Sequence, residues 1–145
     1  ELTEVTAISR VTAAAAVIGQ LRGLGCLVAL DDFGVRGSSY GYVRELPVDL
    51  LKIDASFIRN MTTDAVAFAM VEAMHKIALA TGIRTVATGA DDEATLSALS
   101  LVKVDFAQGA AIGAELSLAD ALQDCAAGHD AELQRPEPRL ASTTT

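Results

Sequence analysis

Apolar and polar residues follow two alternating patterns along this 145-residue chain. Short, mainly apolar runs, which are typical of strands buried on both faces, occur at residues 26–30, 50–53, 84–87 and 104–107. Longer segments with apolar residues at helical spacing lie before, between or after them, at residues 5–24, 64–81, 91–101 and 118–127. This rhythm predicts parallel strands joined by right-handed helical crossovers, and therefore an α/β sheet or barrel.

The predicted helix at residues 64–81 has the strongest local signals. Asp64 and the two threonines before it offer N-caps, and Gly82 lies just past the other end. Its apolar residues cover more than one face, so we expect it either to be deeply buried in a barrel or to pack against another subunit.

Three segments fall outside the main alternation. Residues 1–4 are predicted to form a short strand without a preceding partner, which suggests a fragment of a larger protein. A polar, glycine-containing loop at residues 34–39 leads to a short helix that carries Tyr40 and Tyr42. Residues 128–145, with two prolines and a run of threonines, are predicted to be a disordered tail.

Composition narrows the class of protein. With 51% apolar residues and a mean hydropathy of +0.36, the chain has enough material for the core of one domain. Its net charge of −8 argues against a nonspecific nucleic-acid surface, and no stretch predicts a signal peptide or a membrane span. Cys26 and Cys125 form neither a CxxC motif nor a disulfide framework, so we expect a reducing cytoplasm.

The most informative polar residues are the adjacent carboxylates Asp31 and Asp32. They follow a buried apolar run, where paired acids are unfavourable unless a cation compensates them, and a divalent metal is the usual cation. The pair therefore suggests a metal site. The alternative is structural, because an Asp at a strand end often caps the next turn or helix.

Other polar residues recur at the ends of the predicted strands. Since the carboxyl ends of parallel strands meet at one edge, where α/β proteins hold their active sites, we expect a common site there. Structural alternatives remain, because Lys52 and Asp54 could form a simple ion pair and Gln108 could cap the last loop. The residues at this edge are Glu1, Asp31, Asp32, Lys52, Asp54, Thr88 and Gln108.

The order of several motifs resembles the EAL-domain family of cyclic di-GMP phosphodiesterases. The matching stretches are Glu1-Leu2-Thr3-Glu4, Asp31-Asp32-Phe33-Gly34, Ser38-Ser39, Leu46-Pro47-Val48-Asp49, Leu51-Lys52-Ile53-Asp54, Ser56-Phe57, Val86-Ala87-Thr88-Gly89-Ala90-Asp91 and Gln108-Gly109. The resemblance implies the C-terminal half of an EAL-type (β/α)8 TIM-like barrel over residues 1–127. The half that carries the signature Glu-Ala-Leu and an Asn ligand is expected to be absent from this chain.

The resemblance also implies roles for single residues. In active relatives two metal ions, Mg²⁺ or Mn²⁺, serve the hydrolysis of cyclic di-GMP to linear pGpG. The implied metal ligands here are Glu1, Asp31, Asp32 and Asp54, and the implied catalytic residues are Lys52 and Gln108. The implied loop supports are Glu4 and Asp91.

Departures from the family pattern bear on activity. Thr88 stands where the family has a metal-binding Glu, and a neutral hydroxyl is a poor substitute for a carboxylate on Mg²⁺. Val35-Arg36-Gly37 replaces the usual Thr-Gly-Tyr of the loop that links metal site and dimer interface. Gly113-Ala114-Glu115 replaces Gly-Arg-Pro, which removes a cation and adds an acid near the loop that would face a dianionic ligand.

The sequence therefore predicts a degenerate EAL module that acts as a cyclic di-GMP receptor or a protein-interaction platform. The alternative is a weak but genuine phosphodiesterase. Expected partners are cyclic di-GMP and either a second copy, through the helix at 64–81 and the short helix before Pro47, or an upstream regulatory domain.

Two other features are placed outside the site. The tripeptide Asp32-Phe33-Gly34 also occurs in protein kinases, but no glycine-rich loop or His-Arg-Asp motif accompanies it. His75 and His129 lie far from the strand ends, and we expect them to be surface or packing residues.

Overall fold

The structure is a computed structural model that describes residues 1–35, 40–114 and 116–126. The chain divides into a unit Glu1–Ile112 and a second unit Gly113–Thr145. The second unit contains the helix α6, Leu118–Ala126. Predictions on Arg36, Gly37, Ser38, Ser39, Glu115, His129 and the tail 128–145 lie outside the described residues, so the predicted domain division remains a prediction.

The first unit is built on five parallel strands in the order β1-β2-β3-β4-β5. The strands are β1 (Leu2–Thr3), β2 (Ala29–Phe33), β3 (Leu50–Ile53), β4 (Arg84–Thr88) and β5 (Phe106–Gln108). Sequential neighbours pair throughout, which is the arrangement expected for part of a barrel wall. The predicted alternation of parallel strands and helices is confirmed.

Helices connect the strands. They are α1 (Glu4–Ser9), α2 (Val11–Gly23), α3 (Ala55–Ile58), α4 (Ala65–Thr81) and α5 (Glu93–Val102), with a 3₁₀ helix at Tyr40–Arg44. Asp64 caps α4 by accepting from the Val66 amide at 2.8 Å, and Gly82 ends the helix in a left-handed conformation. Both predicted ends of this helix are therefore correct within one residue.

The two faces of the sheet differ in burial. Leu51 and Ile53 of β3, with Thr85 and Ala87 of β4, are fully buried beneath the helices. The alternate residues of β4, which include Arg84, are only partly buried, so this face is less covered. We call it the inner face because it would line the interior of a closed barrel.

Two aspartates fix the amino-terminal ends of neighbouring strand pairs. Asp49, just before β3, accepts from the Val28 amide at 2.8 Å, and Asp105, just before β5, accepts from the Thr85 amide at 2.7 Å. In each pair the two residues directly precede partners in the register, Ala29↔Leu50 and Val86↔Phe106. The same device thus aligns two separate strand pairs.

His75 packs inside the first unit, as expected for a packing residue. Its Nδ1 lies 2.8 Å from Thr85 Oγ1, which in turn donates to Asp105 Oδ2 at 2.8 Å. This chain links α4 to β4 and to the start of β5. Because the Thr85 proton is directed to Asp105, the imidazole Nδ1 acts as the donor to Thr85.

Two sequence predictions were wrong in detail. The helix predicted at 5–24 is broken at Arg10, whose φ of −151° and ψ of 66° are not helical, and the Ser9 hydroxyl donates to the Thr6 carbonyl beside the break. The strand predicted at 26–30 lies later, at Ala29–Phe33, so it includes Asp31 and Asp32. Backbone pairing continues past the apolar run with an irregularity between Leu30 and Phe33.

Candidate functional site

Three charged side chains converge at the carboxyl edge of the sheet. Lys52 Nζ lies 2.9 Å from Glu1 Oε1 and 3.4 Å from Asp31 Oδ2, and the lysine side chain is only 11% exposed. Burial lowers the pKa of Lys52, but its hydrogen bond to Glu1 and the charges of Asp31 and Glu1 outweigh this, so the net pKa is raised. Lys52 is therefore a fixed cation between two carboxylates from β2 and the chain start.

Asp32 occupies a distinct position beside this cluster. Its φ of 57° is left-handed, a conformation that Asp tolerates better than most residues, and its amide donates to Asp31 Oδ1 at 3.0 Å. Asp31 and Asp32 thus have different surroundings: the first carboxylate contacts Lys52, and the second residue is exposed.

The loop after the aspartates is anchored by a fully buried acid. Glu4 Oε2 accepts from the Gly34 amide at 3.1 Å, and Oε1 accepts from the Tyr42 hydroxyl. Burial, followed by the hydrogen bond to Glu4, raises the pKa of Tyr42, so its proton stays on the phenol. The sequence analysis assigned loop support to Glu4 but did not predict its contact with Tyr42. The two residues are 38 positions apart, so no local pattern in the sequence links them.

Thr88 and Asp54 use their side chains in local structure. The Thr88 hydroxyl donates to the Ile53 carbonyl at 2.8 Å and so joins the ends of β4 and β3. Asp54 Oδ1 accepts from the Ser56 amide at 2.9 Å and caps α3. The suggested Lys52–Asp54 ion pair does not form, because Lys52 contacts Glu1 and Asp31 instead.

The last strand ends with a second small network. Gln108 pairs in register with Thr88 and is exposed. Asp91 accepts from the Ala110 amide and from Arg59 Nε, each at 3.1 Å, and these two hydrogen bonds, the amide first, lower its pKa. Asp91 therefore connects the loop after β5 with Arg59, a residue that sequence analysis did not single out.

The structure brings part of the predicted set together. Glu1, Asp31 and Lys52 are in direct contact, and Thr88 and Gln108 lie on neighbouring strand ends. Within the described parts of the chain, no three His, Cys, Asp or Glu side chains gather into a group that could hold a metal ion. Thr88 brings a neutral hydroxyl to this edge, and Asp54 uses one of its two carboxylate oxygens to cap α3.

Comparison with known proteins identifies the family of this chain. The model of the EAL domain matches residues 1–115. The chain belongs to the EAL domain family. It is 41% identical over 119 residues to the cyclic di-GMP phosphodiesterase PdeB of Shewanella oneidensis and 34% identical over 124 residues to the cyclic di-GMP phosphodiesterase PdeF of Escherichia coli. These alignments cover 82% and 86% of the chain.

Solved EAL structures agree with the fold. The PaMucR phosphodiesterase in complex with c-di-GMP superposes with a TM-score of 0.76 at 30% identity, over 83% of this chain. The EAL domain of Mycobacterium smegmatis DcpA gives 0.77 at 28% identity, over 87% of this chain. The predicted fold class, part of an EAL-type barrel of alternating strands and helices, is confirmed.

The matches cover only part of each relative. The chain spans 14% and 17% of the lengths of PdeB and PdeF. It covers 49% of the PaMucR chain and 56% of the DcpA chain. The EAL relatives are therefore much longer than the segment they share with this protein.

Proposed function

We propose that this chain is part of an EAL module that binds cyclic di-GMP as a receptor and hydrolyses it poorly or not at all. The two curated relatives above are named cyclic di-GMP phosphodiesterases, and the PaMucR structure is a c-di-GMP complex, which supports this ligand. The same module could also act as a protein-interaction platform, which requires no hydrolysis. This role is the remaining proposal if cyclic di-GMP does not bind.

The observation that carries the proposal is the state of Thr88. Its hydroxyl is neutral and donates its proton to the Ile53 carbonyl, so this position brings no negative charge to the site. Hard divalent cations prefer carboxylate oxygens, and loss of even a supporting group costs about 10–100-fold in metal affinity or activity. Loss of a carboxylate ligand should cost at least as much.

A specific observation also supports the alternative, a weak phosphodiesterase. Glu1, Asp31 and Lys52 meet within hydrogen-bond distance at the edge where parallel α/β proteins place catalytic groups. In that alternative Lys52 and Gln108 would be catalytic, and Glu1, Asp31 and Asp32 would bind added Mg²⁺ or Mn²⁺. The two proposals differ in whether the native chain releases pGpG at a rate that depends on Asp31.

The experiment compares the purified protein with its Thr88→Glu variant. Isothermal titration calorimetry measures cyclic di-GMP binding, and chromatography measures pGpG release with added Mg²⁺ or Mn²⁺. We expect binding with little or no turnover by the native chain, and at least about 10-fold faster turnover by Thr88→Glu, because a carboxylate is restored. Thr88→Gln is the control, since it adds length without charge.

Each outcome decides between the proposals. If the native chain releases pGpG at a rate that Asp31→Asn abolishes, the receptor proposal is wrong and the phosphodiesterase is correct. If calorimetry detects no nucleotide, the interaction role alone remains.

Two further assignments belong to the same proposal. A homodimer through α4 is supported by Val66 and Leu79, whose exposures of 66% and 67% are high for apolar residues. A reducing cytoplasmic location is supported by the exposed thiol of Cys26. None of the helices in the described part of the chain has the length and apolar character needed to cross a membrane.

A further inference from the structure

Two residues just past β4 hold the loop that follows β5. The Ala90 amide donates to the Gln108 carbonyl at 3.0 Å, and the Ala90 carbonyl accepts from the Ala111 amide at 3.1 Å. Asp91 Oδ1 accepts from the Ala110 amide at 3.1 Å. Three hydrogen bonds therefore join residues 108–111 to the end of β4.

The same two segments also touch along their main chains. A Cβ at Gly109 would lie 2.4 Å from the Ala90 carbonyl oxygen, closer than real Cβ atoms approach, so only glycine fits there without a shift. Contacts this close transmit displacement, and a movement of residues 90–91 must therefore also move residues 109–111. Gln108, the candidate site residue at the end of β5, directly precedes this contact.

Arg59 holds Asp91 from the side of α3. The end of α3 packs so closely over the end of β4 that a Cβ at Gly89 would meet Ala55 Cβ at 2.7 Å and Arg59 Nε at 3.3 Å. From there Arg59 Nε donates to Asp91 Oδ2 at 3.1 Å, whereas the loop amide donates to the other oxygen, Oδ1. One carboxylate thus connects α3 to the loop after β5.

This connection is an exposed charge pair. The side chains of Arg59 and Asp91 are 62% and 43% exposed, so solvent and salt screen their attraction. Such pairs add little to global stability, whereas a surface loop opens at a small cost in free energy. The pair should therefore act mainly on the order of the loop and much less on the thermal midpoint.

We propose that Arg59 is a positioning residue, which holds Asp91, keeps the loop after β5 ordered and so places Gln108 for cyclic di-GMP. The ligand comes from the proposed function, on which this role rests, whereas the order of the loop can be measured without a ligand. Without Arg59 the loop opens more often, and the nucleotide must order it on binding, which lowers the observed affinity. The loss is limited to what one exposed pair contributes, about 2–5-fold in the dissociation constant.

The first experiment measures amide exchange in the purified chain. Hydrogen–deuterium exchange followed by NMR compares the Ala110 and Ala111 amides in the native protein, in Arg59→Gln and in Arg10→Gln, a control at another exposed arginine. We expect about 2–5-fold faster exchange of both amides in Arg59→Gln, with a nearly equal thermal midpoint, and no change in Arg10→Gln. Arg59→Lys should restore slow exchange, because lysine keeps the charge beside Asp91.

Two results of this experiment overturn the proposal. One is unchanged exchange of the Ala110 amide in Arg59→Gln, which would show that the loop is ordered without the charge pair. The other is a thermal midpoint that falls by more than about 5 °C, because Arg59 would then support the whole unit and not the loop.

The second experiment is a double-mutant cycle on nucleotide binding. Isothermal titration calorimetry measures the affinity of cyclic di-GMP for the native chain, Arg59→Gln, Asp91→Asn and the double variant. We expect each single variant to bind about 2–5-fold more weakly, and the double variant to bind like Asp91→Asn, because Arg59 acts only through Asp91. If Arg59→Gln weakens binding by the same factor in both backgrounds, Arg59 contacts the nucleotide directly and the positioning role is wrong.

Failure of the positioning role and failure of the proposed function give different results. If the native chain binds no cyclic di-GMP, the receptor proposal fails, and amide exchange alone decides whether Arg59 orders the loop. If the native chain binds and Arg59→Gln binds equally tightly, only the positioning role is wrong.

Discussion

At the scale of single residues, the site depends on how each carboxylate is satisfied. Glu4 is fully buried and accepts from Gly34 and Tyr42, Asp31 contacts Lys52, and Asp54 accepts from a helix amide. A fully buried acid such as Glu4 is stable only because it has donors, whereas Asp31 and Asp54 are only partly buried. The three residues therefore have different structural roles although each carries a carboxylate.

The Tyr42 hydroxyl should contribute measurably to stability. Tyr42→Phe leaves one oxygen of buried Glu4 without a donor, so we expect the free energy of unfolding to fall by about 1–3 kcal/mol. Urea unfolding measures this. Tyr40→Phe is the control, because that ring packs against Phe33 at a centroid distance of 5.2 Å and retains this contact. Equal stability of native and Tyr42→Phe proteins would contradict the assigned role of Tyr42.

The lowered pKa of Asp91 predicts a pH-dependent effect of Asp91→Asn. Because the folded pKa lies below the ordinary value of 3.8, the stabilisation by Asp91 is present above that value and is lost as the pH falls through the folded pKa. The native and Asp91→Asn proteins should therefore differ at neutral pH and converge in acid. Thermal unfolding across this range measures the difference, with Glu45→Gln as an exposed control. If the difference in stability between the two proteins grew in acid, the pKa of Asp91 would be raised and the prediction would be wrong.

The motifs of the sequence single out candidate site residues, and the structure brings Glu1, Asp31 and Lys52 into contact, but the partners of the other residues could not be predicted. The order of the motifs along the sequence is enough to single out Asp31, Asp32, Lys52 and Gln108. The contacts of Glu4 with Tyr42 and of Thr88 with Ile53 join residues 38 and 35 positions apart, and they depend on how strands and loops stack.

At the scale of elements, glycines with positive φ fix how strands join helices. Gly82 and Gly89 have nearly equal φ values of 76° and 77°. A Cβ at Gly82 would meet nothing within 4 Å, whereas one at Gly89 would lie 2.7 Å from Ala55 Cβ. A substitution at Gly82 therefore tests backbone strain alone, and the same substitution at Gly89 tests strain together with packing against Ala55.

We expect Gly89→Ala to be more destabilising than Gly82→Ala. Backbone strain alone should cost about 1–2 kcal/mol at Gly82, and overpacking against α3 should add about 1–3 kcal/mol at Gly89. Chemical denaturation of both variants measures the difference. Equal losses would mean that α3 moves away without cost.

Periodicity predicted the parallel strands and α4 well because their signals are local. It misplaced β2, since pairing continues through two aspartates that no apolar pattern marks. It also joined α1 and α2, because the break at Arg10 arises from backbone geometry and carries no Gly or Pro. The four-residue helix α3 was too short to show a period.

At the scale of the whole molecule, charge is the dominant global property. The net charge of −8 on 145 residues implies self-repulsion, which salt screens. We expect the thermal midpoint to rise by a few degrees between about 0.01 M and 0.15 M NaCl, over which the Debye length falls from about 30 to 8 Å. Differential scanning calorimetry measures this. A midpoint that falls with salt would show that local ion pairs, such as Lys52 with Glu1, outweigh the repulsion.

The hydrogen bonds that Asp49 and Asp105 accept at the amino-terminal ends of the strands have a consequence for the opposite edge of the sheet. Strand alignment is set by carboxylates that accept from main-chain amides at one end, about a strand length away from Thr88 and Gln108. Residues at the carboxyl edge can therefore be exchanged without removing these two hydrogen bonds. Tolerance of this kind would let a scaffold exchange a side chain at one edge, such as the Thr88 hydroxyl, while its strands stay aligned from the other end.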